Sequence, residues 1–268
     1  MKALLGDYPV TRQFKQRSSL EFADVKVPNT AFKRVVRDLE FDVAELALMT
    51  FLLAKAHGKP YSLLPAVVTA RFQHATLAYN PARGTLSPDR LAGKRVGMRS
   101  YSVTTATWVR GILADDYGVD LATVRWVTFE DPHVAEFRDP PNATRMPPGK
   151  DPTAMLLAGE IDAAILAEPP KDGPLRPLIP DPAAAAAAWK AKNRAIQINH
   201  MVAVKSTVSH EQARRIYDLL VESRKAAGNP EMNPFGVEEN RRNLEVAIEC
   251  MQRQRMIPRR FTVEELFG

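Results

Sequence analysis

KRVGMRSYSVTTATWVRGILADDYGV, residues 94–119, decides the fold class. Residues 94–98 read as a strand. A turn dense in hydroxyls follows, carrying Ser100, Ser102, Thr104 and Thr105. Beyond it, Trp108, Ile112 and Leu113 recur at helical spacing, so residues 104–117 read as an amphipathic helix. Strand, turn and helix in this order are the repeating unit of α/β proteins. The turn places backbone N–H groups and small hydroxyls at a helix N-terminus, where the natural guest is an anion. Tyr101 stands beside them, placed to cover an apolar ring. The same residues also make an ordinary capped helix, because Ser and Thr are common N-caps, and both readings stand.

Outward from this stretch, strands and helices alternate. Residues 2–5, 20–27, 61–68, 124–129, 161–167 and 198–204 read as strands, and 74–79 is strand-like. Residues 30–37, 153–159 and 183–192 read as short helices. Residues 41–43 read as extended chain feeding a helix over 45–56, which makes Glu45 a helix-starting residue. Two strong helices close the chain, one with Ala213, Ile216, Tyr217 and Leu220 on a face, the other with Leu244, Ala247, Ile248 and Met251. Residues 139–152 and 169–182 are proline-rich loops. The alternation predicts mainly parallel sheets. Ligands of such sheets sit at the carboxyl ends of strands. Those ends are residues 7–11, 43–45, 70–74, 99–105, 129–133, 168–170 and 199–200.

Composition narrows the class. A hydrophobic fraction of 45% and a charged fraction of 25% are those of a globular chain. No apolar run approaches the roughly 18 residues of a membrane span. Residues 1–19 lack a signal-peptide h-region, so a cytoplasmic location is expected, or a periplasmic one if a signal peptide has been removed. A single cysteine, Cys250, excludes an internal disulfide. It falls in a helical apolar pattern and reads as packing. The net charge of +6 favours anionic partners. The basic residues are dispersed and no nucleic-acid-binding motif accompanies them, so no nucleic-acid partner is expected. The oligomeric state stays open, a homo-oligomer included.

FDVAEL (41–46), TTATWVRGIL (104–113), LLAGEIDAAILAEPP (156–170), INHMVAV (198–204), NPFGVEENRRNLE (233–245) and FTVEELF (261–267) run in order along nearly the whole chain. Together they resemble the 4,5-dihydroxyphthalate decarboxylase family. The resemblance implies an α/β, two-lobe, type 2 periplasmic-binding-protein-like fold with two crossover strands and a central cleft. Laid on this chain, lobe one is residues 1–82 with 196–268, and lobe two is residues 83–195. Family members carry an Arg-His pair after the third strand. Here Gln73 precedes His74, and Arg71 lies two places earlier.

The resemblance implies decarboxylation of a hydroxylated aromatic carboxylate such as 4,5-dihydroxyphthalate. This chemistry needs no organic cofactor in principle. A hydroxyl para to the departing carboxylate pushes electrons into the ring, an acid protonates the ring carbon, and CO2 leaves. The protein must supply a proton donor, a carboxylate anchor and a water-poor pocket. Histidine suits the first role, and His200 and His74 are the best placed, each with a structural, hydrogen-bonded role as its alternative. Arg71 and Arg110 are candidate anchors, since guanidinium matches carboxylate; Arg110, two turns into its helix, is equally suited to an internal ion pair. Ser102, Thr104, Thr105 and Asn199 are candidate ligand contacts. Glu45 is a helix-dipole partner or an acceptor for phenolic hydroxyls, and Glu168 with its two prolines shapes a cleft wall. His74, His200, Glu45 and Glu168 are the one candidate set for a divalent metal, but no spacing demands it, and no metal is expected. The alternative to an enzyme is a non-catalytic solute-binding protein for a small aromatic or other carboxylate.

Overall fold

The computed structural model describes residues 1–267. In chain order its elements are β1 (Lys2–Leu4), α1 (Pro9–Arg17), β2 (Glu21–Phe22), α2 (Phe32–Val36), β3 (Val43–Ala47), α3 (Leu48–Ala56), β4 (Tyr61–Ala70), β5 (Leu77–Tyr79), β6 (Arg95–Met98), α4 (Thr104–Tyr117), β7 (Arg125–Thr128) and β8 (Ala143–Arg145). Then come α5 (Pro152–Ala158), β9 (Ala163–Ile165), β10 (Arg176–Pro177), α6 (Pro182–Asn193), β11 (Ile198–Lys205), α7 (His210–Ala226) and α8 (Val237–Arg253). The chain forms two compact units. Met1–Arg71 and the chain from Ala195 onward make the first; Phe72–Arg194 makes the second. No helix among the described residues is long and apolar enough to cross a membrane.

The first unit is built on a five-stranded sheet in the order β2-β1-β3-β11-β4. β1 runs parallel to β2 and β3, while β11 runs antiparallel to both β3 and β4. On one face, Ala3, Val43, Leu64, Ala66, Val202 and Val204 pack with Phe14 of α1 and Ile216 and Leu220 of α7. Side chains two residues apart on a strand share a face, so this row continues through Glu45 and Ala47 of β3 and His200 of β11. Truncating Leu220, which has no exposed surface, to alanine would cost about 2–5 kcal/mol through the cavity left behind. α7 starts at a reciprocal cap: Ser209 N–H donates to Gln212 Oε1 (3.0 Å), and Gln212 N–H donates to Ser209 Oγ (3.2 Å).

The second unit holds a six-stranded sheet in the order β10-β5-β9-β6-β7-β8. β9, β6, β7 and β8 are parallel neighbours, whereas β5 pairs antiparallel with β9 and β10. α4 ends at Gly118, whose φ of 64° is the left-handed conformation that closes many helices.

The structure departs from the sequence reading in four places. Residues 45–47 are strand, not helix: Ala, Glu and Leu favour helix locally, but β3 lies between β1 and β11 and is buried along its whole length, a setting that overrides propensity. Residues 20–27 contain only the two-residue β2. Both sheets are mixed, because β11 and β5 run against their neighbours; parallel pairs predominate only in the second, while the first is evenly divided. Residues 72–82, grouped by sequence with lobe one, belong to the second unit, since β5 pairs with β9 there.

Candidate functional site

In the first unit, Glu45 and His200 meet across the β3–β11 pair. Glu45 stands opposite Val202, and His200 stands opposite Ala47. The two side chains are therefore diagonal neighbours on one face, within reach of long side chains. The register of β11 against β4 shifts on both sides of His200, the kind of irregularity that re-aims a side chain. His200 Nδ1 lies 2.5 Å from Glu45 Oε1.

Glu45 has no exposed surface. An ionised carboxylate in that position is costly unless its oxygens are satisfied. Three donors satisfy it: His200 Nδ1–H, the Tyr8 hydroxyl at 2.8 Å, and the Gly6 N–H at 2.8 Å on the other oxygen. The last two come from the connection between β1 and α1. Thr11 fixes that connection: its hydroxyl donates to the Gly6 carbonyl (2.7 Å) and accepts from the Tyr8 N–H (2.9 Å). The Tyr8 ring lies so close over Gly6 that a Cβ there would come within 2.5 Å of it. Burial, and then the Glu45 charge, push the Tyr8 phenol well above its ordinary pKa, so it remains a donor.

Bonding to a carboxylate assigns the Nδ1–H tautomer to neutral His200, so the proton the ring gains or gives is the one on Nε2. The ring packs edge-on against Phe32 of α2, with centroids 5.2 Å apart. It is not sealed: 18% of the side chain stays exposed. On β4, Thr69 holds the register position opposite His200, and its Oγ1 is buried without a hydrogen-bond partner. A partly exposed imidazole backed by a buried carboxylate is a competent proton donor or acceptor.

In the second unit, the hydroxyl-rich turn leads into α4 as read from sequence. Ser100, Ser102 and Thr104 are buried and Thr105 is half-buried. The Ser100 hydroxyl has no hydrogen-bond partner. Val103, at the N-cap position, contributes no side-chain cap. Two residues expected at a ligand are instead internal. Tyr101 is 6% exposed and stacks on Phe137. Arg110 has no exposed surface; its guanidinium lies 3.7 Å over the Tyr101 ring and donates to the Tyr101 carbonyl (2.8 Å). Arg110 thus holds the turn, because its charge is satisfied by a carbonyl and two aromatic faces.

His74 also departs from its expected role. It is 1% exposed, with Phe72 and Trp189 ring centroids at 6.4 and 6.5 Å, and neither ring nitrogen has a hydrogen-bond partner. Burial, only partly opposed by Asp116, lowers its pKa to about 4. It is neutral at pH 7 and carries no imidazolium proton. Arg71 is half-buried just after β4, where its backbone N–H donates to the Gln197 carbonyl (3.2 Å). Asn199 is half-buried on β11, and Glu168 is exposed in the loop after β9. Among the described residues, no group of three or more His, Cys, Asp or Glu side chains is arranged to hold a metal ion.

Of the sequence candidates, the structure brings Glu45 and His200 together. It adds Tyr8 and Gly6, which sequence reasoning did not single out. Tyr8 had a signal in its position, since residues 7–11 follow the carboxyl end of a strand; Gly6 lies just before that range.

Against known proteins, the chain has sequence relatives. Over 197 residues the chain is 30% identical to a 4,5-dihydroxyphthalate decarboxylase of Comamonas testosteroni, covering 69% of this chain and 60% of that protein. Over 146 residues it is 31% identical to the protein of that name from Pseudomonas putida, covering 52% of this chain and 57% of that one. The chain is similar to the 4,5-dihydroxyphthalate decarboxylases. Its matched part thus spans less than two thirds of either curated relative. No family model matches it. Among solved structures, the alkanesulfonate-binding protein of Xanthomonas axonopodis pv. citri superposes with a TM-score of 0.58 at 12% identity, over 100% of this chain and 97% of that one. The periplasmic aliphatic sulphonate-binding protein of Escherichia coli gives 0.58 at 10% identity, over 100% and 96%. The fold is therefore of the type 2 periplasmic-binding-protein kind.

Proposed function

We propose that this chain is a carboxy-lyase acting on a hydroxylated aromatic carboxylate, with 4,5-dihydroxyphthalate as the first substrate to test. The observation that carries this reading is the bond between His200 Nδ1 and the buried Glu45 carboxylate. In the proposed step, electrons from a ring hydroxyl para to the carboxylate raise the basicity of the ring carbon. His200 gives its Nε2 proton to that carbon, forming a C–H bond. The C–C bond to the carboxylate then breaks, CO2 departs, and the bond's electron pair restores the ring. Glu45 stabilises the imidazolium before transfer and keeps the ring in one tautomer. Apolar Phe32 against the imidazole disfavours water at this point. In the second unit, we assign small-anion binding to the turn before α4, supported by buried Ser100, Ser102 and Thr104 at the helix N-terminus.

A thermal-shift screen of aromatic carboxylates, followed by CO2-release assays on the hits, tests the reading. Turnover of a dihydroxyphthalate is expected. Binding without CO2 release from any hydroxylated hit would replace the lyase with a solute-binding protein.

A further inference from the structure

We propose that Tyr8 is a positioning residue that sets how tightly Glu45 holds the Nδ1–H of His200. The inference rests on the reading of His200 as proton donor and deepens it. Tyr8 hydroxyl and His200 Nδ1–H converge on the same carboxylate oxygen, Glu45 Oε1, at 2.8 and 2.5 Å. Two donors on one oxygen divide its negative charge. A hydroxyl that donates there competes with the imidazole N–H for that oxygen and weakens the carboxylate as its acceptor.

The geometry around Tyr8 is built to keep this bond. Its N–H is held by Thr11, which also ties down the Gly6 carbonyl. Gly6 lets the ring lie directly on the backbone and sends its own N–H to Glu45 Oε2, so the carboxylate cannot turn away from Tyr8 without losing a second bond. Two titratable groups are joined to the His200 ring: Glu45 from β3 and, through it, Tyr8 from the β1–α1 connection. α2 presents Phe32 and β4 presents Thr69 at the opposite register position, neither of which titrates.

The test is a titration of the whole chain with its five histidines ¹⁵N-labelled, the His200 signals being those lost in His200→Gln. Tyr8→Phe keeps the ring over Gly6 and removes only the hydroxyl. The His200 titration midpoint is expected to rise, because the carboxylate then has one donor fewer competing with the imidazole. The pH limb of CO2 release governed by His200 should move the same way. An unchanged or lowered His200 midpoint in Tyr8→Phe overturns the proposal. Should that variant not fold, the unsubstituted protein decides: neutral His200 protonated on Nδ1 is expected, and protonation on Nε2 overturns the arrangement. Because the titration needs no turnover, it separates failure of the Tyr8 role from failure of the lyase reading.

Discussion

His200 in the first unit and His74 in the second differ in what meets the ring nitrogens. His200 has Glu45 at 2.5 Å and keeps part of its side chain exposed. His74 has no partner at either nitrogen and lies against Phe72 and Trp189. Both stand near the ends of strands, and both are the residue type that acid–base chemistry uses. The carboxylate makes the difference. A histidine with a buried anion beside it can be charged inside a protein; one enclosed by aromatic rings is pushed toward neutrality. Residue type and position relative to a strand therefore do not identify a proton donor. In the proposed reading, the second side chain, which arrives from elsewhere in the chain, separates the two.

The strongest way to break this comparison is to replace the two histidines one at a time. His200→Gln keeps approximate size and should lower CO2 release by about 10²–10⁴-fold, the usual worth of a general acid, while ligand affinity changes little. His74→Gln should leave the chemical step intact. The reverse pattern in steady-state kinetics would assign the proton to the second unit.

Acid unfolding sharpens the contrast. In the unfolded chain His74 takes up a proton near the ordinary histidine value of 6.5, whereas in the folded chain it does so only at about 4. Between those values the unfolded state binds a proton that the folded state refuses. Its contribution to stability is thus full above pH 6.5 and is lost as the pH falls to 4, at up to about 1.4 kcal/mol per pH unit for one proton. Urea unfolding midpoints across this window should fall more steeply in the unsubstituted protein than in His74→Phe. Equal slopes would remove His74 as the cause.

Within the second unit, Thr104→Val with Thr105→Val should weaken binding of a phthalate or a simple anion by about 1–3 kcal/mol, the scale of hydrogen bonds to a charged group. Calorimetric titration reads this, and unchanged affinity would leave the turn as an ordinary helix start. Within the first unit, Gly6→Ala places a methyl group against the Tyr8 ring. Displacing that ring should cost about 1–3 kcal/mol, as overpacking does. A thermal midpoint equal to that of the parent protein would show that Tyr8 moves freely and does not brace Glu45.

The sequence by itself determined what depends on neighbours along the chain. The helix over residues 104–117 was read with the bounds that the structure gives it, because apolar periodicity and the turn before it are local signals. The α/β class followed from alternation. His200 and Glu45 were each named as candidates, but nothing in the spacing of residues 155 apart joined them. Local propensity even placed Glu45 at the start of a helix. Only the tertiary structure decided that residues 45–47 are a buried central strand, that β11 returns antiparallel beside it, and that the register sets Glu45 diagonally across from His200. It likewise decided that Arg110 turns inward onto Tyr101 and that His74 is enclosed by aromatic rings. The physical reason is the same in each case. Helix formation is written in contacts three and four residues apart, whereas the charge state of a buried side chain depends on donors, rings and carboxylates brought by distant segments.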